Sequence, residues 1–219
     1  AWRALERAAV AAGIAPQYTL RIEKQIPAAG GLAGGSSDAA AVLRLAARLW
    51  PGLAPMLPAL ALELGSDAPF FLTGGFARGR GRGVLLEPLP PLPRHDVVLF
   101  PPPAGWQVVE RKTAAVFAKL PEFDPRPPAV SRVLERARGG SLSIEDLLGA
   151  NALERAALAL FPWLEEHRAR IEAVIGSPVV LTGAGPTWFW IGPPGSGDAV
   201  AQRARQAGLE VIVTRTAAR

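Results

Sequence analysis

The pattern of apolar and polar residues over the first 90 residues predicts helices separated by glycine turns. An alanine-rich helix is predicted over residues 1–12, ended by Gly13, and apolar residues at helical spacing predict a second helix over Ser37–Trp50. Apolar and polar residues alternate over Tyr18–Ile26, which predicts a strand. The remaining predictions for this part are a helix over Pro58–Leu64 and two short strands around glycine turns over Ala68–Leu89.

The proline-rich segment Pro88–His95 is the best candidate for a linker, because prolines stiffen a connection and exclude helix. Strands and helices alternate after it. The predicted elements are a strand over Asp96–Pro103, a helix over Val108–Leu120, helices near 129–138, 143–149 and 151–173, two strands around a glycine turn over Pro178–Gly192, a helix over 197–207 and a strand over Leu209–Thr216. The order β-α, β-β-α-β predicts a split βαβ, ferredoxin-like layout, and the whole chain is expected to be α+β.

Composition narrows the class of protein. The chain is 49% hydrophobic and 20% charged, so it can bury a core and is not a disordered chain. It contains no cysteine, which excludes disulfides, thiolate zinc sites and cysteine nucleophiles and fits a reducing cytoplasm. No apolar run is long enough to predict a membrane span. The net charge of +5 is compatible with anionic small substrates, whereas the aromatic residues are not interleaved with the basic ones as a nucleic-acid surface requires.

The most informative segment is the loop "GGLAGGSSDAA", Gly30–Ala40, between the predicted strand and the predicted second helix. Glycines allow positive φ and a close approach of the backbone to a ligand. The helix expected to begin near Ser36, Ser37 and Asp38 points its free N–H groups back into this loop, and such a helix end binds phosphate well. The two serine hydroxyls have three possible uses: capping the helix, contacting phosphate oxygens, or reaching Mg²⁺.

Other interpretations of the loop are weaker. A flexible linker before an ordinary capped helix would lie among polar residues, whereas Leu32 places an apolar side chain inside this loop. No lysine follows the glycines, so the segment is not a P-loop. The acidic residue that a dinucleotide-binding fingerprint needs on a following strand is missing as well.

The segment "IPAAGGLAGGSSDAA" resembles the second motif of the GHMP kinase superfamily, a proline followed by Gly-Leu-(Gly/Ala)-x-Ser-Ser-x-Ala. The matching positions are Pro27, Gly31, Leu32, Gly35, Ser36, Ser37 and Ala39. "LTGAGPTWFW", Leu181–Trp190, resembles the third motif of the same superfamily, a second glycine turn that closes over the phosphates.

Two more segments resemble one branch of that superfamily, the 4-diphosphocytidyl-2-C-methyl-D-erythritol kinases. These are "LGSDAPFFLTGGFARGRGRG", Leu64–Gly83, and "NALE", Asn151–Glu154. The branch usually has glutamate after its Gly-x-Gly turn, where this sequence has Val84. The resemblance extends over essentially the whole chain.

The resemblance implies roles for individual residues. Asp67 is the expected catalytic base, Thr113 and Phe117 the expected cytidine pocket, and Ser37 a possible contact to Mg²⁺. The ATP-binding positions would be Pro27, Ala28, Ala29, Gly30, Gly31, Leu32, Ala33, Gly34, Gly35, Ser36 and Ser37, and the second glycine turn would use Thr182, Gly183 and Gly185.

Each of these side chains also has a structural interpretation. Asp67 taken alone reads as a turn residue after a glycine helix stop, and Phe117 could be a core residue. Asp38 is better explained as a complement to the helix dipole, and Lys24 as a solvated charge on a strand with a possible place near the nucleotide.

The resemblance further implies an N-terminal domain of the ribosomal-protein-S5-domain-2-like fold over residues 1–90 and a ferredoxin-like GHMP kinase domain over 94–219, with ATP in the cleft between them. The implied reaction is ATP-dependent phosphorylation of the 2-hydroxyl of 4-diphosphocytidyl-2-C-methyl-D-erythritol in non-mevalonate isoprenoid biosynthesis. Its cofactors would be ATP and Mg²⁺ and its location the bacterial cytoplasm. Neither nucleic acid nor a membrane is expected as a partner.

Family members begin with a strand that carries a catalytic lysine and an asparagine, followed by a Gly-Tyr-His segment, and none of these precedes the helix that starts at Ala1. We therefore expect the first domain to be incomplete here and the isolated 219-residue chain to be poorly folded or inactive.

Two alternatives remain open. One is another GHMP kinase, of the homoserine or mevalonate type, against which the segment "GSDAPFFLTGG" argues. The other is an S5-like RNA-binding module, suggested by the basic net charge, although such a binder has no need of two glycine turns for phosphate.

Overall fold

The computed structural model describes residues 1–15, 18–81, 83–106, 109–122, 129–140 and 142–217, and divides the chain into two compact units. The first unit consists of Ala1–Ala28 and Ala33–Leu89, and the second of Ala29–Leu32 and Pro90–Arg219. Within the described residues, no helix has the length and apolar character needed to cross a membrane.

The first unit is built mainly from helices. They are α1 (Trp2–Ala12), α2 (Gly34–Leu49), a 3₁₀ helix (Pro51–Met56), α3 (Leu57–Leu64) and α4 (Ala68–Thr73). An antiparallel hairpin of β1 (Ala77–Arg80) and β2 (Leu85–Pro88) follows them. The predicted helix over 1–12 is confirmed, and α1 ends at Gly13 with φ 69°, a left-handed conformation that glycine adopts without steric cost.

The helices of the first unit share one apolar core. On α2 the buried residues are Ala39, Ala40, Val42, Leu43 and Ala46, and this helical spacing forms one apolar stripe. Leu5 of α1 and Leu60 of α3 belong to the same buried cluster. This packing anchors α2 from Ala39 onward.

Three predictions for the first unit are corrected. The strand predicted over Tyr18–Ile26 is wrong: among the described strands none pairs with this segment, and a strand needs such a partner for its backbone groups. Helix α2 begins at Gly34, three residues before the predicted start at Ser37. The two predicted strands of Ala68–Leu89 are β1 and β2, but Ala68–Thr73 is helical, begun by Pro69 in its first turn, where a missing N–H costs nothing.

The second unit contains a four-stranded antiparallel sheet. Its strands are β3 (Asp96–Phe100), β4 (Val180–Leu181), β5 (Trp188–Gly192) and β6 (Ile212–Arg215), and they lie in the order β4-β5-β3-β6. Val98 pairs with Trp190 on one side and Val213 on the other. This is the strand order of the predicted ferredoxin-like layout, and the α+β class is confirmed.

Helices of the second unit cover this sheet. They are α5 (Lys112–Lys119), α6 (Ala129–Arg138), α7 (Ile144–Leu147), α8 (Leu153–Leu160), α9 (Trp163–Ile175) and α10 (Gly197–Gln206), with a 3₁₀ turn at Leu120–Glu122. The single helix predicted over 151–173 is wrong, because Pro162 cannot donate a helical hydrogen bond and separates α8 from α9. The predicted helix over Val108–Leu120 begins only at Lys112, and Val108 lies outside the described residues.

Asp96 joins three elements of the second unit. Asp96 is 3% exposed, and its side chain accepts backbone N–H bonds from Gly195 at 2.8 Å and Gly197 at 3.0 Å, at the start of α10. Arg215 of β6 donates to its other oxygen at 3.1 Å. The hydrogen bond from Gly197, with that from Gly195 and the charge of Arg215, holds the pKa of the Asp96 carboxyl below its ordinary value.

We predict that Asp96→Ala lowers the free energy of unfolding, since the N–H groups of Gly195 and Gly197 lose a charged acceptor. Because the folded-state pKa is lowered, the contribution of Asp96 is complete above about pH 4 and is lost as pH falls below that value. Urea unfolding at neutral and acidic pH measures both effects. Asp198→Ala, which removes an exposed carboxylate from the same helix turn, should change stability by less than about 1 kcal/mol. Equal losses in the two variants would contradict this role of Asp96.

Candidate functional site

The glycine loop takes its left-handed conformations mostly at alanines. Positive φ occurs at Ala29 (60°), Gly31 (81°) and Ala33 (49°), while Gly30, Gly34 and Gly35 are not in this region. The prediction that the glycines supply the positive φ is thus correct only at Gly31. Non-glycine residues occupy this region rarely and at a cost, so the surrounding structure must hold Ala29 and Ala33 in place.

In the first unit, the start of α2 leaves donors without acceptors. Ala33 is the N-cap, and its carbonyl accepts N–H bonds from Ser36 and Ser37 at 3.0 Å each. For the N–H groups of Gly34 and Gly35, no acceptor occurs among the described residues. These two donors, at the positive end of a 16-residue helix, form an anion-binding arrangement.

The glycines at this helix start leave room for a ligand. A Cβ at Gly35 would meet nothing within 4 Å, and one at Gly34 would meet only the Lys24 ammonium at 3.2 Å. Ser36 and Ser37 are half-buried, and neither caps the helix, which corrects the possibility that their hydroxyls serve as caps. Both hydroxyls therefore stay available within the described part of the chain.

Lys24 and Asp38 form an ion pair of 2.8 Å at the same end of α2. Both side chains are partly exposed, and a pair of this kind adds at most about 1 kcal/mol to stability. Asp38 lies beyond the first turn of α2, so the interpretation as a dipole complement gives way to pairing with Lys24. The pair places the Lys24 ammonium next to Gly34 with its charge balanced by Asp38.

Asp67 is exposed and lies in the turn between α3 and α4 of the first unit. This turn is close to the start of α2, since the position of a Cβ at Gly65 is 4.0 Å from Ser36 Oγ. The hydroxyl of Ser66 is 3.4 Å from Asp67 Oδ1, and the carboxylate does not cap α4. Asp67 is thus an accessible carboxylate in a turn that approaches Ser36.

In the second unit, the segment Ala29–Leu32 lies against the turn Thr182–Gly185. A Cβ at Gly31 would lie 2.5 Å from the carbonyl oxygens of both Gly185 and Thr182, so only glycine fits there. The hydroxyl of Thr182 is 2.9 Å from the Gly30 carbonyl oxygen. The sequence treats these as two separate glycine turns, and the structure packs them together.

Asn151 supports the second glycine turn. Its Nδ2 donates to the carbonyl oxygens of Leu181 at 3.0 Å and Gly183 at 2.8 Å, and its Oδ1 accepts the N–H of Leu153 at 3.0 Å. Burial raises the pKa of the nearby Glu154 carboxyl, which pairs with Arg168 at 3.3 Å. The "NALE" segment therefore has a physical role, which is to fix the shape of the Thr182–Gly185 turn.

Lys112 is a residue of this region that the sequence interpretation missed. It is 6% exposed, and its ammonium donates to the carbonyl oxygens of Ala29, at 3.0 Å, and of Gly185. Burial lowers the pKa of this ammonium from its usual 10.5 to about 8. No pattern in the sequence separates Lys112 from an exposed helix lysine, which is the ordinary state of this residue type.

The expected pocket residues Thr113 and Phe117 lie one helical turn apart on α5 and are both exposed. Phe117 is 54% exposed, so the interpretation of this ring as a core residue is wrong. No group of three or more acidic or histidine side chains that could hold a metal ion occurs in the described part of the chain.

Comparison with known proteins decides the family. A family model described as the GHMP kinases N terminal domain matches residues 1–75. The 4-diphosphocytidyl-2-C-methyl-D-erythritol kinase of Pelotomaculum thermopropionicum is 38% identical over 98% of this chain and 75% of its own length. The chain belongs to the GHMP kinase family. Its similarity is to the 4-diphosphocytidyl-2-C-methyl-D-erythritol kinase branch, which confirms the resemblance seen in the motifs.

Other similar proteins belong to the same branch of the GHMP kinases. The enzyme of the same name from Mycolicibacterium smegmatis is 41% identical over 85% of this chain, which spans 59% of that enzyme. A crystal structure of 4-(cytidine 5'-diphospho)-2C-methyl-D-erythritol kinase matches with a TM-score of 0.73 and 35% identity. The match covers 97% of this chain and 77% of the chain in that structure. A homoserine kinase structure from Listeria monocytogenes, at a TM-score of 0.60 and 18% identity, shares the fold alone.

We predict that Gly31→Ala lowers the free energy of unfolding by about 2–4 kcal/mol, because the methyl group meets two carbonyl oxygens and the backbone has positive φ. Gly35→Ala is the matched control within the same loop. It adds a methyl group in open space on a helix and should be neutral or stabilising by up to about 1 kcal/mol. Chemical denaturation of both variants measures the difference, and a fully stable Gly31→Ala protein would contradict the close packing.

Proposed function

We propose that this protein is a kinase that transfers the γ-phosphoryl group of ATP to the 2-hydroxyl of 4-diphosphocytidyl-2-C-methyl-D-erythritol. The observation that carries the proposal is the start of α2, where the N–H groups of Gly34 and Gly35 have no acceptor in the part of the chain that the structure describes and Gly35 faces open space. The similarity to enzymes named for this reaction, along nearly the whole chain, supports the choice of substrate.

The nucleotide phosphates are assigned to the glycine loop. The N–H groups of Gly34 and Gly35 and the positive helix end favour an anion, and the ammonium of Lys24, which is paired with Asp38, lies 3.2 Å from the Cβ position of Gly34. The proposed ATP-binding residues are those of the motif, 27–37. Thr182, Gly183 and Gly185 serve this site by supporting Ala29–Leu32 through the contacts at Gly31 and Gly30.

Asp67 is the proposed general base. An exposed carboxylate can accept the proton of the substrate 2-hydroxyl while that oxygen bonds to the γ-phosphorus. The bond from the γ-phosphorus to the bridging oxygen then breaks, and ADP leaves. The exposure of Asp67 supports this role, as does the approach of its turn to Ser36, whose Oγ lies 4.0 Å from the Cβ position of Gly65.

Magnesium fits the site as a partner of the nucleotide. The described side chains provide no cage of three acidic or histidine groups, and Mg²⁺ commonly uses phosphate oxygens, water and only one or two protein ligands. The Ser37 hydroxyl, half-buried in the first turn of α2, is the proposed protein contact. When bound, the ion neutralises charge that develops on the phosphates.

Thr113 and Phe117 are proposed to bind the cytidine. The exposed ring of Phe117 can stack on a base, and Thr113 one turn away can hydrogen-bond it. We further propose that the domains of the kinase are residues 1–90 and 94–219 and that it acts in the cytoplasm of a bacterium.

We predict that Asp67→Asn in the full-length protein lowers kcat by about 10²–10⁴-fold, because the amide cannot accept the proton, while the affinity for ATP changes little. The measurements are phosphorylation of the cytidine diphosphate substrate, followed by phosphorus NMR, and calorimetric titration with ATP. Glu63→Gln, which removes an exposed carboxylate from α3, is the control and should keep turnover. Full turnover of Asp67→Asn would refute the assigned role.

The choice of substrate is tested separately. The wild-type protein should phosphorylate 4-diphosphocytidyl-2-C-methyl-D-erythritol with a kcat/KM at least 10³-fold above that for homoserine or mevalonate, since a site with pockets for the cytidine loses those contacts with a smaller alcohol. A higher kcat/KM for homoserine or mevalonate would contradict the proposed substrate. Salt-dependent binding of RNA with no binding of ATP would overturn the kinase assignment.

A further inference from the structure

Lys112 is a buried cation at the point where the two glycine segments of the second unit meet. It is the first residue of α5, and its ammonium donates to Ala29 at 3.0 Å and to Gly185, one carbonyl oxygen from each segment. The face of the Trp106 ring lies 5.9 Å from the same nitrogen, a distance at which a cation is attracted to the ring.

The charge of Lys112 has no anionic partner among the described residues. A buried ammonium is costly unless an opposite charge or several acceptors compensate it. The two glycine segments packed around it carry no charged side chain. The other charged residues of α5 and of α8, which packs against it, are Lys119, Glu154 and Arg155, and Glu154 pairs with Arg168. Among the described residues, the positive charge of Lys112 therefore lies beside Ala29–Leu32 without an ion pair.

The bond to Ala29 also orients a donor. In a trans peptide the C=O and the N–H point in opposite directions, and within the described chain the bond between Ala29 and Gly30 is trans. Because the Ala29 carbonyl faces Lys112, the Gly30 N–H faces away from it. Gly30 is buried, and its N–H has no acceptor among the residues that the structure describes. A buried donor without an acceptor points to a ligand that supplies one.

We propose that Lys112 is a positioning residue of the phosphoryl-transfer reaction: its charged ammonium holds the Ala29 carbonyl so that the Gly30 N–H is presented to the anionic nucleotide. The proposal rests on the proposed kinase function. Lys112 acts through the loop and does not touch the reacting atoms. A charged donor forms hydrogen bonds about twice as strong as a neutral one, so loss of the proton weakens the hold without removing the side chain.

The test compares Lys112→Met with Lys119→Met in the full-length protein. Both changes remove one lysine charge from α5, at positions about 10 Å apart along the helix. We expect Lys112→Met to raise the dissociation constant and the KM for ATP about 10-fold, which corresponds to about 1.4 kcal/mol. The KM for the cytidine diphosphate substrate should stay within about 2-fold of the wild-type value. Lys119→Met should leave all three constants unchanged.

A pH profile separates this role from simple structural support. Since the pKa of Lys112 is about 8, the wild-type dissociation constant for ATP should rise between pH 7.5 and pH 9, whereas that of Lys112→Met should stay flat. A phosphate group has its second pKa near 6, so it is almost fully ionised from about pH 7.5 upward and its charge changes little in this range. A folded Lys112→Met protein with wild-type affinity for ATP, or a flat wild-type profile, would overturn the proposal.

Two results distinguish the proposed role of Lys112 from the proposed kinase function on which it rests. If Lys112→Met fails to fold, the wild-type pH profile alone decides. If the wild-type protein binds ATP but does not phosphorylate the cytidine diphosphate substrate, the proposed function fails, while the effect of Lys112 on ATP binding still tests the positioning role.

Discussion

The close approach of Gly31 to the turn Thr182–Gly185 is the contact on which the architecture of the glycine loop depends. There is no room for a Cβ at Gly31, since it would lie 2.5 Å from two carbonyl oxygens. The Thr182 hydroxyl bonds the neighbouring Gly30 carbonyl, and Asn151 fixes the turn from its other side. A loop of small residues has little packing of its own, so these few polar contacts define its shape.

Polar contacts of this kind also explain why strained backbone is tolerated. Ala29 and Ala33 adopt positive φ, which costs of order 1–3 kcal/mol at each non-glycine residue and persists only where the surroundings impose it. Ala29 is held by the bond from Lys112, and Ala33 by its place as N-cap of a helix whose other turns are packed in an apolar core. The strain lies at the loop assigned to ATP, where pre-organised donors are useful.

Much of the fold follows from local pattern. Helices and strands with clear periodicity, such as α1, β3, β5 and α10, are predicted at nearly their true positions. The predicted strand Tyr18–Ile26 fails because alternation shows only that a segment suits a sheet, and pairing depends on a partner elsewhere in the chain. The predicted start of α2 at Ser37 is wrong for a related reason. Glycine has a low helix propensity, but tertiary packing overrides it and the helix begins at Gly34.

The sequence by itself determined the chemistry of the candidate site: the glycine loop, the two serines, Asp67 and the second glycine turn are recognisable by residue type and order. Only the tertiary structure decided which of these groups meet. It packed Gly31 against Thr182 and Gly185, and it buried the ammonium of Lys112 on two carbonyl oxygens. The physical reason is that these contacts join residues up to about 150 positions apart. The burial of Lys112 arises from that packing and leaves no periodic trace in the chain.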